Sequence, residues 1–269
     1  AIGSGTKLAL EDAIELVRQF KALGDTADRI PEVLKHYQAV REIDVIRLQN
    51  AAWNAMEWFE VCGERYCDQL EPEQFMYSML TRSQRISHEN LRLRDKAWLE
   101  GYEAWFAGRT AMPGIRPPMF TPYTLRSVTL KNRVVVSPMA QYMAVAGRAG
   151  DDHLVHLGAR AMGGAGLVMV EMTAASADGR ITHGCPGLWN DQQTHDFAKI
   201  VDWVHAKSDA KIGLQIGHAG PKGSTCRPWQ GPGMDQPVPA DDAEGNWSLI
   251  AASAIPYLPH GDVPRAMTR

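Results

Sequence analysis

No helix can run through the stretch from Gly108 to Pro118, because Gly108, Pro113, Gly114, Pro117 and Pro118 all fall within it. The hydrophobic period changes across this break. Before it, apolar residues recur at helical spacing. After it, short apolar runs alternate with helical patterns, which indicates parallel βαβ construction. The expected organisation is a helical segment over 1–107, a linker over 108–118 and an α/β segment over 119–269.

In the first segment, Gly3-Ser4-Gly5-Thr6 leads into a helix with Leu8, Ala9, Ala13, Leu16, Val17 and Phe20 on one side, and Gly24 is a plausible stop. Small residues before a helix start let backbone N–H groups approach an anion or a flavin edge, although a plain Ser/Thr N-cap explains the same residues. Pro31 opens a second helix whose stripe, from Val33 and Leu34 through Val40, Ile43 and Ile46 to Trp53, Met56 and Phe59, suits a core or helix-pair face. A short helix begins at Pro72, and another is expected from Glu89 to Phe106. His36 and His88 read as surface residues.

In the second segment, Leu125 to Asn132 suits a short hairpin or extended lead-in. Val134, Val135 and Val136 form an apolar run that suits a strand buried on both faces, ended by Pro138. Leu167 to Glu171 and Lys211 to Ile216 are a second and third buried strand. Helices are expected over Asp151–Ala161 and Asp191–Lys207, and Gly163 to Gly166 breaks the first. The residues after Gly220 read as loop.

A net charge of −3 leaves no electrostatic footprint for nucleic acid. No apolar run approaches the length of a membrane span. Neither nucleic acid nor membrane is therefore an expected partner, and a cytoplasmic protein is expected. Cys62, Cys67, Cys185 and Cys226 are irregularly spaced and read as free thiols rather than a zinc site. His153 and His156 share a helical face at a spacing metals tolerate, but no third ligand is evident, and both read as structural. No metal is expected. The chain does not begin with Met and ends without a terminal element, so it reads as a piece of a longer protein.

The chemistry concentrates at the carboxyl ends of the three strands, where parallel sheets bind ligands. The first delivers Ser137, Pro138, Met139 and nearby Tyr142; the second Glu171, Met172 and Thr173; the third Gln215 and His218. A flat flavin ring needs such an arrangement: backbone groups and a glutamine amide can meet both the donors and the acceptors of its pyrimidine edge. A tyrosine nearby can donate a proton or hold a carbonyl.

The stretch from Phe120 to about Pro256 resembles the old yellow enzyme group of FMN-dependent ene-reductases. The matching pieces are Phe120-Thr121-Pro122, Leu130 to Arg133, Ser137-Pro138-Met139, His153 to His156, Gly179 to Thr182, Gly187-Leu188-Trp189 and Gln215 to Gly220. The resemblance implies an eight-stranded TIM (β/α)8 barrel in which NAD(P)H reduces FMN and an activated alkene accepts the hydride. It implies that Ser137, Pro138, Met139, Ala140, Met172 and Gln215 contact FMN and that Tyr142 faces the substrate as the catalytic residue. Two positions depart from the pattern. Ala140 stands where the bacterial branch often has cysteine, and Pro221 stands where arginine often follows His-Ala-Gly. Only 151 residues (269 − 118) follow Pro118, against about 250 in a typical complete barrel. The expected fold class is therefore α/β, with about three βα units of the barrel present.

The string from Gly3 to Ala13 resembles the segment that follows the Gly-Asp flavin motif in FAD-dependent aromatic-ring monooxygenases, which makes Gly3, Ser4 and Gly5 FAD-contacting candidates. A monooxygenase tail followed by this barrel is similar to the bifunctional salicylyl-CoA 5-hydroxylase and anthraniloyl-CoA monooxygenase/reductase family. That resemblance implies FAD, FMN and NAD(P)H as cofactors and an aromatic acyl-CoA as substrate; self-association is compatible with it. Two alternatives stay open: an ene-reductase with an unrelated helical extension, and a non-catalytic interaction module with a relic barrel.

Overall fold

The computed structural model describes residues 3–231 and 233–268. The chain separates into two compact units, Ala1–Trp105 and Phe106–Arg269.

The first unit is helical: α1 (Gly5–Leu23), α2 (Ile30–Val61), a π-helical turn (Cys62–Tyr66), α3 (Pro72–Thr81), α4 (His88–Arg94) and α5 (Lys96–Ala107), which runs across the unit boundary. Gly24 ends α1 at φ 100°, a backbone angle that glycine adopts without strain. The packing of α1 on α2 departs from the apolar stripes read above. Its buried side is partly ionic: Arg41 of α2 is buried and donates to Asp12 at 2.8 Å and Glu11 at 3.2 Å, while buried Glu15 accepts from Arg18 and Gln19. Val17 and Trp53, expected to pack inward, are 52% and 63% exposed, and Leu34, Val40, Ile43, Ile46 and Phe59 are exposed too. The side of α2 that faces α1 is set by these charge pairs, so the apolar stripe points elsewhere.

Two further readings are corrected here. The single helix expected from Glu89 to Phe106 is broken at Asp95, whose backbone is extended (φ −151°, ψ 90°) and whose carboxylate accepts from the Trp98 N–H at 3.0 Å. An aspartate that can cap the next helix makes the break favourable. His88 is not a surface residue. It joins Tyr77 at 3.0 Å and buried Glu103 at 2.8 Å, and Arg92 also reaches Glu103.

The second unit opens with an antiparallel hairpin, β1 (Tyr123–Leu125) and β2 (Val128–Leu130). A three-stranded parallel sheet follows in the order β3 (Val135–Val136), β4 (Leu167–Ala174), β5 (Lys211–Gly217). The connections are α6 (Asp151–Met162) and α7 (Asp191–Lys207). This is an α/β unit with parallel βαβ construction. Val168 and Val170 of β4 join Leu157 and Ala161 of α6 and Phe197, Ile200 and Val204 of α7 in one buried cluster. Burying each of these larger side chains stabilises the fold by roughly 1.5–3 kcal/mol. Gly158 lets the two helices approach: a Cβ there would lie 2.5 Å from the Trp203 ring.

Only the middle strand is buried on both faces. β3 spans two residues instead of three, and Val135 is 47% exposed. β5 is mostly half-exposed. Both flank β4 as the outer strands of the sheet among the described residues, so each lacks a neighbour on one side. The segment after Gly220 is largely loop as read, but it also carries the short parallel pair β6 (Ile250–Ala251) and β7 (Arg265–Ala266).

Arg148, between β3 and α6, grips buried Asp196 of α7 with two bonds, at 2.7 and 3.0 Å. The guanidinium holds the Asp196 carboxyl below the usual aspartate range. A folded-state value below the unfolded one stabilises above about pH 3.9 and loses that contribution as pH falls through the lower folded value. Asp196→Asn is therefore expected to lower stability at neutral pH, with the gap from the parent closing below about pH 4 in urea titrations. A gap that stays constant down to pH 2.5 would count against the ion pair.

Candidate functional site

The site forms where β3, β4 and β5 end. After Val136 the chain leaves the sheet, and Ser137 to Gln141 run without regular structure, Pro138 having no N–H to continue the ladder. Ser137, Met139 and Ala140 are exposed and Pro138 is half-buried. Tyr142 has a positive φ of 56°. The loop after it is held by the Ala144 N–H, which donates to the Gly184 carbonyl at 3.0 Å. Glycine is required at 184, since a Cβ would overlap the Tyr142 carbonyl.

A bulge decides which side chains share the site. The β4–β5 register pairs Val170 with Leu214, then skips to Met172 with Gln215, leaving Glu171 as the extra residue. Strict alternation would put Met172 on the face of Val168 and Val170, under the helices. The bulge turns it to the opposite face. Along β5, Gly213, Gln215 and Gly217 alternate onto that same face. A Cβ at Gly213 would meet the Met169 thioether at 2.6 Å, and one at Gly217 would meet Met172 at 3.1 Å. Met172 and Gln215 thus lie side by side on the face away from α6 and α7. The two glycines leave room for the Met169 and Met172 side chains to lie over β5.

Glu171 ties the β3 loop to this face. It is buried, and its Oε2 accepts from the Gln141 N–H at 3.0 Å. Its Oε1 lies 3.3 Å from Nε2 of buried His153 on α6, close but not aligned as a hydrogen bond. Nδ1 of His153 accepts from the Gly150 N–H at 3.2 Å, which leaves Nε2 as the nitrogen that carries hydrogen toward Glu171. The reading of His153 as structural stands, with a partner that the sequence did not suggest. Glu171 was visible only as a strand-end residue; a carboxylate closing the run Leu167 to Val170 is the signal that marks it. Among the described residues, no group of three or more His, Cys, Asp or Glu side chains is placed to hold a metal.

Tyr142 is half-buried, with its ring edge-on to Trp229 at 6.2 Å. Burial, reinforced by Cys185, pushes its phenol above the ordinary tyrosine value, so it keeps its proton at neutral pH. Gln215 and Ser137 are exposed, and neither side chain makes a hydrogen bond among the described residues. His218 turns back on its own loop, where Nδ1 accepts from the Gly220 N–H at 3.0 Å. Arg180 lies over both Trp247 and Trp189, at 4.9 and 5.7 Å. In the helical unit, Gly3 has φ 70°, Ser4 stands at the N-cap position and Gly5 is the first residue of α1. Among the described residues no helix is long and apolar enough to cross a membrane.

This arrangement can receive a flat, partly polar ring. Met139 and Met172 offer polarisable apolar surface, the exposed Gln215 amide offers a donor and an acceptor at one edge, and glycine at 213 and 217 lets the Met169 and Met172 side chains lie flat against β5. The donor set therefore fits a flavin.

Among known protein families, the model of the NADH:flavin oxidoreductase / NADH oxidase family matches residues 118–247. An NADH:flavin oxidoreductase of Gibberella zeae is 41% identical over 154 residues, covering 56% of this chain and 36% of the relative. An NADPH dehydrogenase of Bacillus cytotoxicus is 38% identical over 153 residues, covering 56% of this chain and 38% of the relative. The chain thus spans less than two-fifths of the length of these relatives. Among solved structures, morphinone reductase aligns at 28% identity with a TM-score of 0.44, over 57% of this chain and 41% of that one. The old yellow enzyme from Trypanosoma cruzi aligns at 27% identity with a TM-score of 0.44, over 56% and 42%.

Proposed function

We propose, from the match of residues 118–247 to the NADH:flavin oxidoreductase / NADH oxidase family model, that this part of the chain serves an NAD(P)H-dependent flavin oxidoreductase of the old yellow enzyme type. The observation that carries the reading is the bulge at Glu171, which sets Met172 beside Gln215 on the face away from the helices and anchors the Ser137–Tyr142 loop to β4. FMN, when bound, supplies the hydride transfer between NAD(P)H and an activated alkene. The chain's own residues hold and orient. Ser137, Pro138, Met139 and Ala140 support the ring from the β3 loop, the Met172 backbone borders it, and the Gln215 amide bonds its pyrimidine edge. Tyr142, protonated at neutral pH, donates to the substrate in this reading. The full TIM barrel belongs to this reading, with β3 to β5 as three of its strands.

The test is flavin content and NAD(P)H oxidation by the protein that carries this chain, with an activated alkene as acceptor. Gln215→Ala is expected to weaken FMN binding about tenfold, the worth of one hydrogen bond to a polar edge. Tyr142→Phe is expected to slow alkene reduction by about 10²-fold or more while leaving FMN bound. A protein that holds no FMN at micromolar flavin would overturn the reading.

A finer reading adds FAD at Gly3, Ser4 and Gly5 and an aromatic acyl-CoA substrate. Its support is the Gly3–Ala13 string together with the open start of α1, where no atom lies within 4 Å of a Cβ built on Gly3 or Gly5. Acid extraction distinguishes the two readings: FAD and FMN in equal amounts support the finer one, and FMN alone supports the plain oxidoreductase.

A further inference from the structure

The helical unit brings two thiols together by an unusual turn. In an α-helix, residues five apart point about 140° away from one another. After Val61 the chain changes from α to π geometry over Cys62–Tyr66, and the Cys67 N–H donates to the Cys62 carbonyl at 3.0 Å. This i+5 bond stacks position 67 over position 62. The two Sγ atoms lie 3.5 Å apart in a thiol–thiol hydrogen bond. Cys67 is exposed, Cys62 is half-buried, and neither is used by the site at the strand ends. Cys185 and Cys226 are buried in the other unit.

We infer that Cys62 and Cys67 form a reversible dithiol–disulfide modification site, oxidised by hydroperoxides, with Cys67 as the thiol attacked first and Cys62 as the resolving thiol. The order follows from accessibility. The Cys67 thiolate attacks one oxygen of hydrogen peroxide: an S–O bond forms, the O–O bond breaks, and the departing hydroxide takes up a proton as water. The Cys67 sulfur, now a sulfenic acid, has lost two electrons. The Cys62 sulfur then attacks it; the S–S bond forms, the S–O bond breaks, and the hydroxide leaves as water with the Cys62 proton. The sum is two thiols and one peroxide giving one disulfide and two waters. The sulfurs need to close by roughly 1.5 Å, which rotation about the Cα–Cβ bonds of a turn already in register can supply. Burial holds the Cys62 thiol above the ordinary cysteine range, reinforced by its hydrogen bond to Cys67, which keeps it protonated until the exposed partner has reacted. A small thiol such as glutathione reverses the bond by exchange.

The test uses the 269-residue chain, reduced, desalted and exposed to hydrogen peroxide, then blocked with N-ethylmaleimide and digested with trypsin. Cleavage after Arg65 separates the two cysteines, so reduced protein yields Leu48–Arg65 and Tyr66–Arg82 as separate alkylated peptides. Oxidised protein is expected to yield the two peptides joined and unalkylated, lighter by two hydrogens than the sum of their free-thiol forms. This pair should exceed any other cysteine pairing by at least about tenfold, because proximity sets a high effective concentration. Cys62→Ser is expected to leave Cys67 as a sulfenic acid trapped by dimedone, whereas Cys67→Ser leaves Cys62 largely alkylated. Separate alkylated peptides after peroxide, Cys67 driven to sulfinic acid without the linked species, or links formed between chains would each overturn the assignment.

Discussion

Glu171→Ala is expected to destabilise the α/β unit by about 3–5 kcal/mol, the usual effect of removing one member of a buried polar pair. Three losses combine. The Gln141 N–H loses its acceptor, Nε2 of buried His153 loses the carboxylate it faces, and a cavity opens beneath the β3 loop. Because the bulge makes Glu171 the extra residue, no neighbour on β4 can replace it. Glu171→Gln keeps one carbonyl oxygen, and its cost should be about 1–2 kcal/mol. Urea unfolding measures both. Hydrogen exchange at the Gln141 amide adds a local readout: fast exchange is expected in the alanine variant before global unfolding. An unchanged urea midpoint with a protected Gln141 amide would remove Glu171 from its role as the anchor of the loop.

Trp58→Ala should cost the helical unit about 3–5 kcal/mol, the range for truncating a buried large aromatic. Trp58 is buried where α2, the π turn and α3 meet. Its ring stacks on Tyr66 at 5.5 Å, tilts against Phe75 at 5.5 Å and meets Phe59 edge-on at 5.2 Å, while Nε1 donates to Ser78 at 2.6 Å. Tyr66 lies in the same turn that brings Cys62 and Cys67 together. The variant should therefore also lose the selective pairing of those thiols. Trp58→Phe retains most of the packing and gives up the Ser78 bond, for about 1 kcal/mol. Thermal unfolding followed by far-UV circular dichroism distinguishes the two variants, and equal midpoints for parent and Trp58→Ala would contradict the packing argument.

Much of the architecture was legible in local pattern. The run Leu167 to Val170 reads as a strand covered by helices, and β4 is the strand that joins the cluster of α6 and α7. Asp191–Lys207 is helical over the residues expected, because Asn190 caps its start, accepting from the Gln193 N–H, and the apolar period continues to Val204. Ser137 to Met139, Met172 and Gln215 were legible as strand-end residues, since polar or small groups after an apolar run mark where a parallel sheet ends; their flavin roles, and Ala140, came from the family resemblance. The expected single helix over Glu89–Phe106 failed at Asp95 for the opposite reason. Its apolar spacing continued, and only the capping bond to Trp98 shows the break.

What the sequence by itself determined was the helical character before Gly108, the βαβ character after Pro118, and the chemical types gathered at the strand ends. These depend on residues close in the chain, whose period and breakers act locally. The tertiary structure alone decided which face each group occupies. Met172 reaches the face of Gln215 only because the β4 ladder skips one residue against β5, and a register shift belongs to the pair of strands rather than to either. Arg41 is buried while Trp53 is exposed because the charges on α1 select the face that α2 presents. Among the described residues β3 has a neighbour on one side only, and Val135 is exposed there. In each case the deciding partner lies far along the chain, and apolar period carries no record of it.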